Sequence, residues 1–203
     1  MMTPTTTELS AARQLVYQGV GRNVLQFQRV ELLLKYLLGW HEGAYTSESV
    51  VDDMQRGLEA QKLKTLGTLA GELFSKLILQ PASDDEVRGA REVDGKISHR
   101  LILTTAEETH EAWQAQLRAL VEERNRLVHG SLLDWDLDTV EGCQDAIATL
   151  DEQRGRIAVE LEKVKHYHEA LLQSLEQVHQ YLTENVEQIR QDLINKLEQA
   201  APL

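Results

Sequence analysis

IAVELEKVKHYHEALLQSLEQVHQYL, residues 157–182, is the stretch whose spacing decides the fold. Ile157, Leu161, Val164, His168, Leu171, Leu175, Val178 and Leu182 return at steps of four and three, and Val186, Ile189, Leu193 and Leu197 continue the series. A half-buried strand would place apolar residues at every second position. Steps of three and four instead gather them on one face of a helix. The spacing predicts a heptad-like seam on a helix that begins near Asp138, a good N-cap residue, and runs toward the end of the chain. Such a seam serves either as one face of a bundle within the chain or as a surface for a second chain.

The same periodicity appears upstream. Leu15, Val16, Val20, Val24, Phe27, Val30, Leu34, Leu37 and Leu38 predict a first helix over residues 8–38, with Gly39 as its stop. Gly19 and Gly21 lower helix propensity there, and suit close packing or a slight bend. A second helix is predicted from Leu58 to Leu79 along Leu63, Leu66, Ala70, Leu73 and Leu77, closed by Pro81, with a loop and a short helix or turn over 39–57. Around 82–103 the chain reads either as a small hairpin turning at Asp94-Gly95 or as a long structured loop. Thr104 and Thr105 each precede a Glu by three residues, a capping-box pattern that opens a third helix from about Ala106 to His129. Gly130 fits the position just past its end. The expectation is an all-α, antiparallel helical bundle with a long C-terminal helix. It forms a single domain over residues 8–203, in which 183–203 is a possible helical extension and the Thr-rich residues 1–7 are disordered.

Composition supports helices and narrows the function. Only three prolines occur, at positions 4, 81 and 202, and aromatics are 5% of the chain, so the core must rest on Leu, Val, Ile and Ala. A lone Cys143 permits no internal disulfide, and the seven scattered histidines give no zinc pattern. No phosphate-binding glycine loop or serine nucleophile elbow occurs. The start of the chain lacks the basic-then-apolar order of a signal peptide, and no apolar run approaches the ~20 residues of a membrane span, so the expected location is cytoplasmic. The formal charge of −12 argues against a broad nucleic-acid surface. It is uneven, however. Residues 1–40 carry four Lys/Arg against two Asp/Glu, whereas 138–203 carry six against thirteen. A polyanion would have to use a small local site.

The third helix offers one. Its apolar stripe runs Trp113, Leu117, Leu120 and Val121, then Leu127 and Val128, and position 124, where a Leu is expected, is Arg. A core-facing guanidinium without a partner is costly, so Arg124 needs a partner or a task. His129 lies five residues on, about 140° round the helix, at its end. Asn125 is four residues before His129 and stacks beneath it. Glu31, inside the apolar stretch of the first helix, either turns inward to pair with Arg124 or outward to Lys35 four residues on. Arg126 binds flanking phosphate or is a plain surface charge.

Arg124, Asn125 and His129, an Arg-Asn-x-x-x-His series closing an amphipathic helix, resemble the motif of the HEPN superfamily. The run Arg22-Asn23-Val24-Leu25-Gln26-Phe27-Gln28-Arg29-Val30-Glu31 looks like that family's first helix. The resemblance spans about residues 10–180, and its specific part is the motif. It implies a metal-independent endoribonuclease with no cofactor, catalysed by Arg124 and His129 with Asn125 in support. It also implies a homodimer whose two motifs face each other, and a toxin–antitoxin or antiphage role, in some members with a nucleotidyltransferase-type antitoxin. In one subfamily a Tyr modified by the antitoxin lies two residues beyond the motif His. Here that position is Ser131. The residues suit the chemistry on their own account. Cleavage by the ribose 2′-hydroxyl needs an acid–base group that works near neutral pH, and His is one. It also needs positive charge on the phosphorane, which Arg supplies. The alternative is a non-catalytic helical dimerisation or protein-interaction module.

Overall fold

The computed structural model describes residues 6–45, 50–79, 92–93, 96–100, 102–130, 134–184 and 191. The described residues form an all-α fold of five helices with a few short strands. Helix α1 spans Thr6–Trp40, α2 Val50–Gln61, α3 Leu66–Glu72, α4 Glu107–His129 and α5 Val140–Glu184. Successive helices alternate in direction, as the bonds between them show. Lys35 of α1 reaches the Lys62 carbonyl just past α2, Gly67 of α3 faces Val121 of α4 while Phe74 faces Trp113, and Glu123 of α4 meets Arg156 of α5. The odd-numbered helices therefore run one way. The broadest contact, α1 against α5, joins two parallel helices, with Arg13 at Asp138, Asn23 at Leu150 and Tyr36 at His168.

One apolar core lies between them. Val16, Phe27, Val30, Leu34 and Leu37 of α1 meet Leu117 and Leu120 of α4 and Leu150, Ile157, Val164 and Leu171 of α5. The long seam is thus consumed inside the chain as far as Leu171; side chains 178, 181–182 and 185–190, and the residues after 191, lie outside the described set. Gly19 allows the close approach expected of it, because an alanine Cβ there would sit 3.0 Å from Leu150 Cδ1.

Several boundaries differ from the sequence expectation. Residues 1–5 lie outside the described set, but Thr6 and Thr7 already belong to α1. Gly39 does not stop α1. It lies buried in the last turn, where its backbone meets Gly57 of α2. The expected single helix over 58–79 is instead the end of α2, a turn, α3, and a wide π-type turn over Leu73–Leu77 closed by Ile78 N–H donating to the Leu73 carbonyl. The pairs Leu69/Ala70, Leu73/Phe74 and Leu77/Ile78 are buried at a spacing of four. That spacing suits a wider turn than the α-helix. Leu63, expected in the stripe, lies in the turn and is 94% exposed.

Between α3 and α4 the hairpin alternative holds. Strands β3 (Glu92–Val93) and β4 (Lys96–Arg100) pair antiparallel, and β4 also pairs with β1 (Glu42–Tyr45). Strand β2 (Ile78–Leu79) pairs in parallel with β5 (Leu103–Thr104). That pairing displaces the expected capping box. Thr104 is held in the strand, Thr105 N–H donates to Leu79 O, and α4 starts behind Ala106 without a side-chain cap. Asp138 does not cap α5 either. Thr139 Oγ1 accepts from Gly142 N–H at 3.0 Å, while Asp138 pairs with Arg13.

Candidate functional site

Helix α4 is held on two sides. Toward α5, Trp113 stacks on Tyr167 with centroids 4.8 Å apart, and its indole N–H donates to Glu160 Oε2 at 2.8 Å. Toward α3, Phe74 meets the Trp113 ring edge-on and Val121 covers Gly67. Because α3 runs antiparallel to α4 and begins at Leu66, its cover ends near Val121. The last two turns of α4 extend past it.

The Arg-Asn-His series occupies those two turns. Arg124 points along the same side as Trp113, Leu117 and Leu120, as the stripe predicts, yet it is only half-buried. Its Nη1 donates to Asn125 Oδ1 at 3.1 Å, its only side-chain bond among the described residues. Asn125, Arg126 and His129 are exposed. No hydrogen bond or ion pair joins His129 to another described residue. It stands at the carbonyl end of α4, and Gly130 N–H closes that end on Arg126 O at 2.8 Å. Leu127 is buried, while Val128, beside Arg124 on the open side, is 45% exposed.

Glu31 does not pair with Arg124. Its Oε1 accepts from Lys35 Nζ at 2.8 Å, the outward alternative, because Lys35 is four residues on and is itself fixed by the Lys62 carbonyl. Within one chain Arg124 and His129 diverge by about 140° and rise about 7.5 Å along the axis. One motif therefore presents its two groups to different directions. Among the described residues no cluster of His, Cys, Asp or Glu could hold a metal, and no helix is long and apolar enough to cross a membrane.

Two features escape the sequence reading. Glu123 is half-buried, bonds Arg156 Nε through Oε1 at 2.7 Å, and leaves Oε2 buried without a partner. Asn23, in the run that resembles the family's first helix, is fully buried, with its amide donating to Leu150 O at 2.8 Å and Gln153 Oε1 at 3.0 Å. An Asn among Val, Phe and Leu at helical spacing was the available signal for the second. Compared with protein-family models, curated proteins and solved structures, the chain matches none.

Proposed function

We propose that the protein is a metal-independent endoribonuclease whose site is completed by a second copy of the chain, acting in the cytoplasm in a toxin–antitoxin or antiphage role. The observation that carries this reading is the placement of Arg124, Asn125 and His129. They stand on the two turns of α4 that α3 leaves uncovered, beside the exposed Val128, and Arg124 bonds nothing but Asn125 among the described residues. A core-facing arginine without a carboxylate partner is available for an external anion. The divergence of Arg124 and His129 explains why a single chain would not suffice, since a two-fold pairing supplies each phosphate with groups from both motifs. In the reaction, a His takes the 2′-hydroxyl proton as that oxygen attacks phosphorus. The bond to O5′ breaks, a proton is delivered to O5′, and a 2′,3′-cyclic phosphate and a 5′-hydroxyl remain. Arg124 stabilises the added charge on the phosphorane. A nucleotidyltransferase-type antitoxin would have to act without a Tyr at position 131, which is Ser.

The test is purified protein on generic RNA in EDTA. Wild type should cleave, and Arg124→Ala and His129→Ala should each lose about 10²-fold or more. Equal cleavage by all three would refute the reading. The second reading, a non-catalytic interaction module, draws on the apolar Val159 and Leu172 exposed on α5. It predicts dimers without cleavage.

A further inference from the structure

Helix α1 carries a second series besides its core stripe. Leu15, Gln18, Arg22, Leu25, Arg29 and Leu32 follow one another at steps of three and four without a break. All six are exposed, and Leu15, Leu25 and Leu32 leave 55%, 61% and 50% of their surface open. Leu15 thus stands outside the core stripe in which its spacing placed it. The buried residues Val16, Asn23 and Val30 each come one position after a member of the outer series, about 100° round the helix. A Cβ added at Gly21, on the outer side, would meet no atom within 4 Å. The outer series is also basic. From Leu9 to Val30 the helix holds Arg13, Arg22 and Arg29 and no Asp or Glu, in a chain whose formal charge is −12. Arg29 bonds no other described residue. Arg22 meets Asp151 at 3.0 Å, but both side chains are 46% exposed, and Asp151 also lies 3.5 Å from Arg154. An ion pair so open to water is weak and leaves Arg22 able to take a second carboxylate.

From spacing and charge together we infer that the outer face of α1 is a docking site for an amphipathic helix of another protein, apolar along its own seam and acidic opposite Arg22 and Arg29. An unbroken repeat of three and four is what two helices need to interlock along their length, knob into hole. A lipid surface is matched by a broad apolar face, whereas here Gln18 and two arginines stand between the leucines. The arginines lie seven residues apart, at the same place in successive heptads. They repel a partner helix that carries cations there, so α1 of a second copy does not fit. The acidic side chains of α5 on a second copy are already engaged, Asp151 by Arg22 and Arg154, and Glu162 by Lys165. An incoming helix with acidic groups seven apart would meet Arg22 and Arg29 in turn. This surface does not involve Arg124 or His129, and it does not rest on the ribonuclease reading.

The experiment is fluorescence anisotropy of the full chain with a labelled helical peptide of about three heptads, leucine on its seam and glutamate on both flanks. A second peptide keeps the leucines and carries lysine in place of glutamate. The net charge of the chain favours the lysine peptide, so the expected preference runs against the overall field. The glutamate peptide should bind at least about tenfold more tightly. Arg29→Glu, which breaks no bond among the described residues, should weaken its binding about tenfold, and so should the double variant Leu25→Ala, Leu32→Ala. Circular dichroism checks that each variant stays folded. Arg124→Ala should bind the glutamate peptide as wild type does. Preference for the lysine peptide, no binding of either, or binding unchanged in a folded Arg29→Glu would overturn the inference. Association of the chain beyond a dimer that Arg29→Glu abolishes would also overturn it, by assigning the face to a second copy. Co-sedimentation with phosphatidylserine vesicles without peptide binding would do the same in favour of a lipid surface.

Discussion

Arg124 interrupts an apolar stripe at the point where the neighbouring helix ends, and that coincidence gives the residue its meaning. In the middle of α4 the same position would be walled in by α3 and would need a carboxylate; two turns later it opens to solvent with only Asn125 beside it. The sequence shows the interruption, because it lies in the periodicity. It does not show that α3 begins only at Leu66, which is what makes Arg124 accessible. Histidines divide in a similar way. His129 is exposed, whereas His168, inside the α5 seam, lies against Tyr36 and Trp40 with ring centroids 5.9 and 6.1 Å away. Burial holds the His168 pKa below its ordinary 6.5, only partly opposed by Glu169, and burial lowers that of His41 too, against the Leu38 carbonyl and Glu42. Both imidazoles take up a proton less readily in the fold than in the unfolded chain. Their contribution to stability is therefore full above about pH 6.5 and declines as the pH falls toward the lowered folded values. Urea unfolding at pH 7.5 and 5.5 should show the loss, and His168→Phe should reduce the difference between the two. An unchanged difference would remove His168 from this account.

At the scale of elements, a face is more legible than an end. The spacing of α1, α4 and α5 gave their buried sides: Val16, Phe27, Val30 and Leu34, then Trp113, Leu117 and Leu120, then Ile157, Val164 and Leu171. Ends depend on partners distant in sequence. Thr104 and Thr105 carry a capping pattern, but the pairing of β5 with β2 claims their backbone. Gly39 carries a stop signal, but Gly57, eighteen residues on, turns the same glycine into a crossing point. An alanine Cβ at position 57 would overlap the Gly39 carbonyl oxygen, a backbone atom that cannot rotate away. At Gly19 the nearest obstacle is the tip of a leucine side chain. Gly57→Ala should therefore destabilise the protein by about 1–3 kcal/mol or more. Gly19→Ala should fall within about 1 kcal/mol of wild type, as helix propensity offsets a small shift of Leu150. Thermal denaturation of the two variants side by side checks the contrast, and equal losses would contradict it.

For the whole molecule, the proposed activity belongs to two chains, and the surface around Val128 is where their contact can be tested. Val128→Lys places a charge on the open flank of α4 that cannot pair with Arg124 four residues before it. If the motifs meet across a two-fold axis there, light scattering at micromolar concentration should show the wild type as a dimer and the variant as a monomer. RNA cleavage should then fall with the dimer. A wild type that remains monomeric while cleaving would refute the composite site. The core itself is contained in one chain, since the α5 seam is filled by α1 through Leu171. Under the proposal, assembly would complete a site, while the core of the described residues is built within one chain.

The parallel pairing of α1 with α5 also has a consequence in time. Asn23 finds its acceptors at Leu150 and Gln153, 127 and 130 residues downstream. During synthesis α1 emerges before α5, and the part of its apolar face that packs on α5 stays uncovered until Leu150, Ile157, Val164 and Leu171 have left the ribosome. Leu127, the apolar anchor beside the motif, has no completed core to enter before then. If the proposed ribonuclease activity is real, copies that have not yet made α5 would lack the packed α4 on which the motif stands and would be inactive until that helix had joined the core.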